Sequence, residues 1–81
     1  AAATRFMRDL LGDRRVACAP TGDTSYDRLI AVCRVAGRGD IAAALVRAGL
    51  GRDCARYSGG RYARFETAAG ERLPLPGYCE R

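Results

Sequence analysis

The chain contains no histidine and no lysine; all 14 of its basic residues are arginine. Without imidazole it cannot by itself build the zinc sites that use histidine, or the His-based acid–base pairs and nucleophilic triads. No apolar run approaches the roughly 20 residues needed to cross a bilayer, because Arg, Asp or Gly interrupts every stretch, and no membrane partner is expected. A Cys-x-x-Cys pair is also missing, which argues against a tetrathiolate zinc site. The sequence opens Ala1-Ala2-Ala3 with neither Met nor a charged segment leading into an apolar core, so any export signal is expected to have been removed or left out.

What is present fits one small folded domain spanning 1–81. A chain of 81 residues buries only roughly 60% of its unfolded surface and has no room for a second core. Its 48% hydrophobic and 28% charged residues lie away from the composition of disordered chains. The formal net charge is +5. Arginine presents a planar fork of donors suited to phosphate oxygens, so a nucleic-acid partner is compatible with the composition; a genomic bias towards Ala, Gly and Arg accounts for it equally well. Four widely spaced cysteines, Cys18, Cys33, Cys54 and Cys79, predict two disulfides and hence a periplasmic or secreted protein.

Periodicity predicts a helix over 1–12, with Ala3, Phe6, Met7, Leu10 and Leu11 on one face and Gly12 at its end. A strand pair is expected over 14–35: a short strand from Arg15 to Ala19, a loop of turn formers from Pro20 to Ser25, and a strand from Arg28 to Val35 buried on both faces. Gly37-Arg38-Gly39 turns the chain, and Asp40 is placed to cap a helix over 40–50 buried through Ile41, Leu45 and Val46. Residues 51–81 read as irregular, with Ser58-Gly59-Gly60 a breaker, a third short helix over Arg61 to Ala69, and a proline-rich tail lying extended. The fold class is α+β.

The run Tyr26-Asp27-Arg28, the apolar strand after it, the glycine turn, and the helix carrying Leu45-Val46-Arg47-Ala48-Gly49-Leu50 resemble the second half of the micrococcal (staphylococcal) nuclease-like family. The segment Arg52-Asp53-Cys54-Ala55-Arg56-Tyr57-Ser58-Gly59-Gly60-Arg61-Tyr62 is similar to exported bacterial members with cysteines. The resemblance covers most of residues 1 to 69. It implies an OB-type barrel, here incomplete, that cleaves phosphodiesters with calcium. The first three barrel strands, carrying the acidic calcium ligands, one active-site arginine and the catalytic glutamate, would lie upstream of Ala1. Arg28 matches the arginine of the family's Tyr-Gly-Arg motif, with Asp27 in place of its glycine, and the resemblance implies for it a phosphate contact. Calcium would belong to a complete family member, and no cofactor is expected in this chain.

Asp23, Asp27, Glu66 and Glu71 lack the dense spacing of a calcium loop, and no metal site is expected from them. Asp9 and Asp13 read as solvated or paired with nearby arginines, and Glu66 as an exposed charge. Ser25 and Ser58 have no neighbouring base to activate them. Tyr57, Tyr62 and Phe65 interleave with Arg56, Arg61 and Arg64, the composition of a single-strand-binding patch and equally of a packing cluster. The candidate nucleic-acid contacts are therefore Tyr26, Arg28, Tyr57, Arg61 and Tyr62. Four cysteines permit three connectivities; Cys18 with Cys33 across neighbouring antiparallel strands, and Cys54 with Cys79 fastening the tail, is the preferred one.

A two-stranded sheet leaves an unpaired apolar edge, to be covered by the absent N-terminal half or a second copy. Three functions follow: the C-terminal part of an exported nuclease-like domain, hydrolysing DNA or RNA only when completed; a non-catalytic nucleic-acid-binding module; or a disulfide-stapled protein-interaction module.

Overall fold

A computed structural model describes residues 1–25 and 28–79, with the side chains of all of these except residues 24, 25 and 28. Helices flank a three-stranded antiparallel sheet of order β1-β2-β3, an α+β arrangement. Helix α1, Ala2–Leu11, ends at Gly12, whose φ of 47° a side chain would strain. The Arg14 guanidinium caps it, donating to the carbonyls of Leu10 at 3.0 Å and Asp9 at 3.3 Å. None of its residues is buried. Its apolar side, through Ala3, Met7 and Leu11, faces Leu45 and Leu50 across an open depression.

Strands β1, Val16–Ser25, and β2, Arg28–Val35, form a ladder from Val16↔Val35 to Ser25↔Arg28, broken in register between Pro20 and Thr24. The turn formers expected to make a loop after Ala19 thus sit inside β1. Gly22, at φ 95°, and the Thr21 hydroxyl donating to the Ile30 carbonyl at 3.2 Å accommodate the extra residues of the bulge. Cys18 stands directly opposite Cys33 and is bonded to it.

The expectation that β2 is buried on both faces is corrected. Val35 is 2% exposed, but Leu29 is 73% exposed and Ala31 is also on the surface. Only Val35, at the C-terminal end where α2 and β3 lie, is fully buried, while Ile30, Val32 and Cys33 are half-buried. Strand β3 is the pair Gly39–Asp40, reached through a turn closed by Arg38 N–H donating to the Val35 carbonyl at 2.9 Å.

Helix α2, Ile41–Arg47, starts as expected: Asp40 Oδ1 accepts from the amides of Ala42 at 2.9 Å and Ala43 at 3.4 Å. Its buried residues are Ala43 and Val46, with Ile41 and Leu45 half-buried, so the face against the sheet is rotated from the one predicted. Among the described residues Val35, Ala43, Val46 and Cys79 make up the buried apolar core.

Beyond α2 the chain forms short pieces. Helix α3, Ala55–Ser58, lies where irregular structure was expected. The third helix predicted from Arg61 to Ala69 is instead a 3₁₀ turn, Ala63–Phe65, a break at Glu66 and Thr67, and helix α4, Ala68–Glu71. The break is stabilised by Thr67, whose hydroxyl accepts from Gly70 N–H at 3.0 Å. Gly70 is buried because its backbone approaches Gly49; a Cβ there would lie 3.5 Å from the Gly49 Cα and 3.3 Å from Thr67 Oγ1. The tail runs through Pro74 and Pro76 into a final 3₁₀ turn, Gly77–Cys79, and Cys79 is bonded to Cys54. Both disulfides fit an oxidising compartment, and among the described residues no helix is long and apolar enough to cross a membrane.

Candidate nucleic-acid interface

The site is organised by a carboxylate that periodicity does not mark. Asp53 is only 7% exposed. Its Oδ1 accepts from the Ser58 hydroxyl and from Tyr62 N–H at 3.4 Å, and the Ser58 oxygen in turn accepts from Gly60 N–H at 3.0 Å. Asp53 therefore folds the Ser58-Gly59-Gly60 breaker back on itself, with Gly59 at φ 69° and Gly60 at φ 87°. Glu66, expected as an exposed charge, is part-buried instead. Its Oε2 accepts from Arg52 Nε at 3.0 Å and from Asp53 N–H at 3.4 Å, while Arg52 Nη1 reaches the Leu73 carbonyl at 3.4 Å.

The segment so folded is tied to the sheet through Tyr62. Its hydroxyl donates to Asp40 Oδ2 at 2.8 Å. Burial raises the phenol above its ordinary value of 10.0, and the bond to Asp40 raises it further, while Arg61 opposes the shift. Asp40 thus serves two elements, one oxygen capping α2 and the other holding Tyr62.

Two cavities share Arg61 and Tyr62. One, of about 220 Å³, lies against the sheet among Thr21, Ile30 and Val32 and brings Tyr57, Arg61 and Tyr62 together. The other, of about 270 Å³, is bounded by Arg34, Asp40, Arg47 and Arg64 with Phe65 at its wall. The Arg47 guanidinium lies 4.0 Å from the Phe65 ring centroid and that of Arg64 lies 4.8 Å from it, both within cation–π range. Arg56 lies 5.7 Å from the Tyr57 ring.

No known protein family, characterised protein or solved structure matches this chain. The reading of the site therefore rests on its own geometry. Of the expected contacts, Tyr57, Arg61 and Tyr62 come together. Tyr26, Asp27 and the Arg28 side chain lie outside the described residues; the backbone of Arg28 begins β2, opposite Ser25. The sequence did not single out Arg34 and Arg47 as ligand contacts, since they join Arg61 and Arg64 only through the fold. The one available signal for Arg34 is alternation beside buried Val35, which turns its side chain to the opposite face.

Calcium, implied by the family resemblance, finds no fitting donor set here. Among the described residues no three His, Cys, Asp or Glu side chains gather where a metal could sit. Asp53 and Glu66 are spent on hydroxyl, amide and guanidinium donors, and Asp23 is exposed on β1. No chemical step through calcium is derived for this chain.

Proposed function

We propose that this chain is the C-terminal part of an exported, nuclease-like domain of OB type, which hydrolyses phosphodiesters of DNA or RNA when further strands complete its sheet. The observation that carries this reading is the unfinished sheet. Among the described residues β1 pairs on one side only, and Leu29 and Val16 are 73% and 46% exposed. The chain exposes 5896 Å² at a mass of 8.7 kDa, against roughly 4,700 Å² for a folded monomer of that mass. An unpaired strand edge with exposed apolar side chains on a chain of this surface area suits a partner that adds strands.

The order helix, hairpin, turn and capped helix supports the same reading, as does the start of β2 at Arg28. There a guanidinium would stabilise the charge that develops on a phosphoryl oxygen. The catalytic carboxylate and the calcium ligands would come from the completing strands. The two disulfides support a periplasmic or secreted location.

The test is calcium-dependent cleavage of single-stranded DNA by this chain and by the whole reading frame that encodes it, each with a chelator control. Cleavage by the longer product is expected, abolished by chelation and lowered about 10²–10³-fold in Arg28→Ala. A longer product that leaves DNA intact, or one indifferent to Arg28→Ala, sinks the proposal. Salt-sensitive binding without cleavage would favour the binding-module reading instead, and neither activity would favour a protein-interaction role.

A further inference from the structure

The cleft between α2 and the Ala63–Phe65 turn carries an excess of positive charge with nothing among the described residues to answer it. Four arginines, Arg34, Arg47, Arg61 and Arg64, line it against one carboxylate, Asp40. Both Asp40 oxygens are already engaged, by the α2 amides and by the Tyr62 hydroxyl. Among the described residues none of these four arginines forms a salt bridge, whereas Arg52 does, with Glu66. Like charges gathered in one cleft repel, and at physiological salt they act together within a Debye length of about 8 Å. An anion relieves that repulsion.

The form of the anion follows from what the aromatic rings are doing. Arg47 and Arg64 both lie over Phe65, which occupies the ring that a base would need for stacking. The Tyr62 hydroxyl is bonded inward to Asp40. Stacking consumes the face of a guanidinium and leaves its N–H edge free, and that edge matches two oxygens of a phosphate. The cavity, about 270 Å³, holds several waters' worth of space at ~30 Å³ each, enough for a phosphate group.

We propose that this cleft binds the phosphodiester backbone of a single nucleic-acid strand, as a phosphate-gripping site separate from Arg28 that ignores base identity. The proposal rests on nucleic acid being the partner inferred above, but it needs neither hydrolysis nor the completing strands.

The experiment is fluorescence anisotropy with the oxidised 81-residue chain and a labelled 12-mer of thymidylate, with EDTA throughout, from 50 to 300 mM NaCl. An abasic 12-mer of the same backbone is the companion probe. The expected result is binding of both probes within about threefold of each other, since the backbone alone is gripped. In Arg47→Gln/Arg64→Gln affinity should fall by about tenfold or more, and the slope of log affinity against log salt should shrink by about 1.4, the share of two phosphate contacts on a single strand. Arg34→Gln/Arg61→Gln, which leaves the Phe65 stack untouched, should do the same and decides the matter should the first pair fail to fold. Arg5→Gln/Arg8→Gln, an equal charge change on α1, should leave the slope nearly unchanged. Equal losses from the cleft and α1 pairs would mean diffuse attraction and overturn the site. Thymidylate bound far more tightly than the abasic strand would overturn backbone recognition, as would no binding to either probe at 50 mM salt. Because the chelator suppresses cleavage, a failed nuclease assay leaves this outcome standing and the reverse also holds.

Discussion

The Tyr62 hydroxyl donates to Asp40 Oδ2 at 2.8 Å across 22 residues of sequence, while the other oxygen of the same carboxylate caps α2. One side chain therefore couples the start of a helix to the turn that carries Arg61, Arg64 and Phe65. Asp40→Ala should cost about 2 kcal/mol, combining a lost N-cap with a lost tyrosine partner. Tyr62→Phe should cost about 1 kcal/mol. Urea titrations of the two single variants and the double should show a coupling of at least ~0.5 kcal/mol; strict additivity would mean that the bond contributes nothing.

The same phenol makes stability depend on pH at the alkaline end. Its folded value lies above 10.0, chiefly through burial and then through Asp40, so the folded state holds the proton more tightly than the unfolded state. That contribution is complete below pH 10 and is lost as pH rises through the folded value. Melting temperatures of the native chain should therefore fall above about pH 10, and Tyr62→Phe should fall less steeply over that window. Parallel profiles would remove Tyr62 as the cause.

Asp53 holds the breaker segment together from inside. Asp53→Ala would leave the Ser58 hydroxyl and the Tyr62 amide without their acceptor in a part-buried site, at a cost of about 2 kcal/mol. Ser58→Ala removes one donor and should cost roughly 1 kcal/mol. Amide exchange should report the damage at Gly60 and Tyr62 before it appears in α2. Uniform loss of protection would instead make Asp53 a general stabiliser.

The Cys54–Cys79 bridge spans 25 residues, and in the chain-entropy account its removal costs roughly 3.5 kcal/mol. Cys54→Ser/Cys79→Ser should release the proline-rich tail, seen as rapid proteolysis around Leu73 to Pro76, while the sheet survives. Resistance of that tail to a protease would show that noncovalent contacts suffice to hold it.

The parts of this fold legible in the sequence are those whose cause is local. Asp40 before an apolar run, Gly12 after one, and the β-branched run of β2 are each read from neighbours in the chain. The disulfide pairing followed from the hairpin, because antiparallel strands place Cys18 opposite Cys33. What escaped is set by distant partners. Propensity favoured a continuous helix from Arg61 to Ala69, but Asp53 captures the amide of Tyr62, Glu66 turns to Arg52, and Thr67 starts a new helix. The exposure of β2 has a related reason: apolar composition marks what a residue would prefer to bury, whereas Leu29 stands 73% exposed in this fold. The arginine cleft was half visible, in Arg61 and Tyr62. Its other half arrives from β2 and the last turn of α2, which no spacing rule joins.

Side chains on a strand alternate faces, so a slip of one residue between β1 and β2 would send every inward group outward. The bond between Cys18 and Cys33 ties two residues that stand directly across the ladder, on the side of the bulge away from the Ser25↔Arg28 pair. Once oxidised, the hairpin carries a covalent memory of its alignment. Denaturant can separate the strands, but it cannot offer them a second way to meet, and the search for the sheet on refolding is reduced to closing short loops on either side of a fixed point.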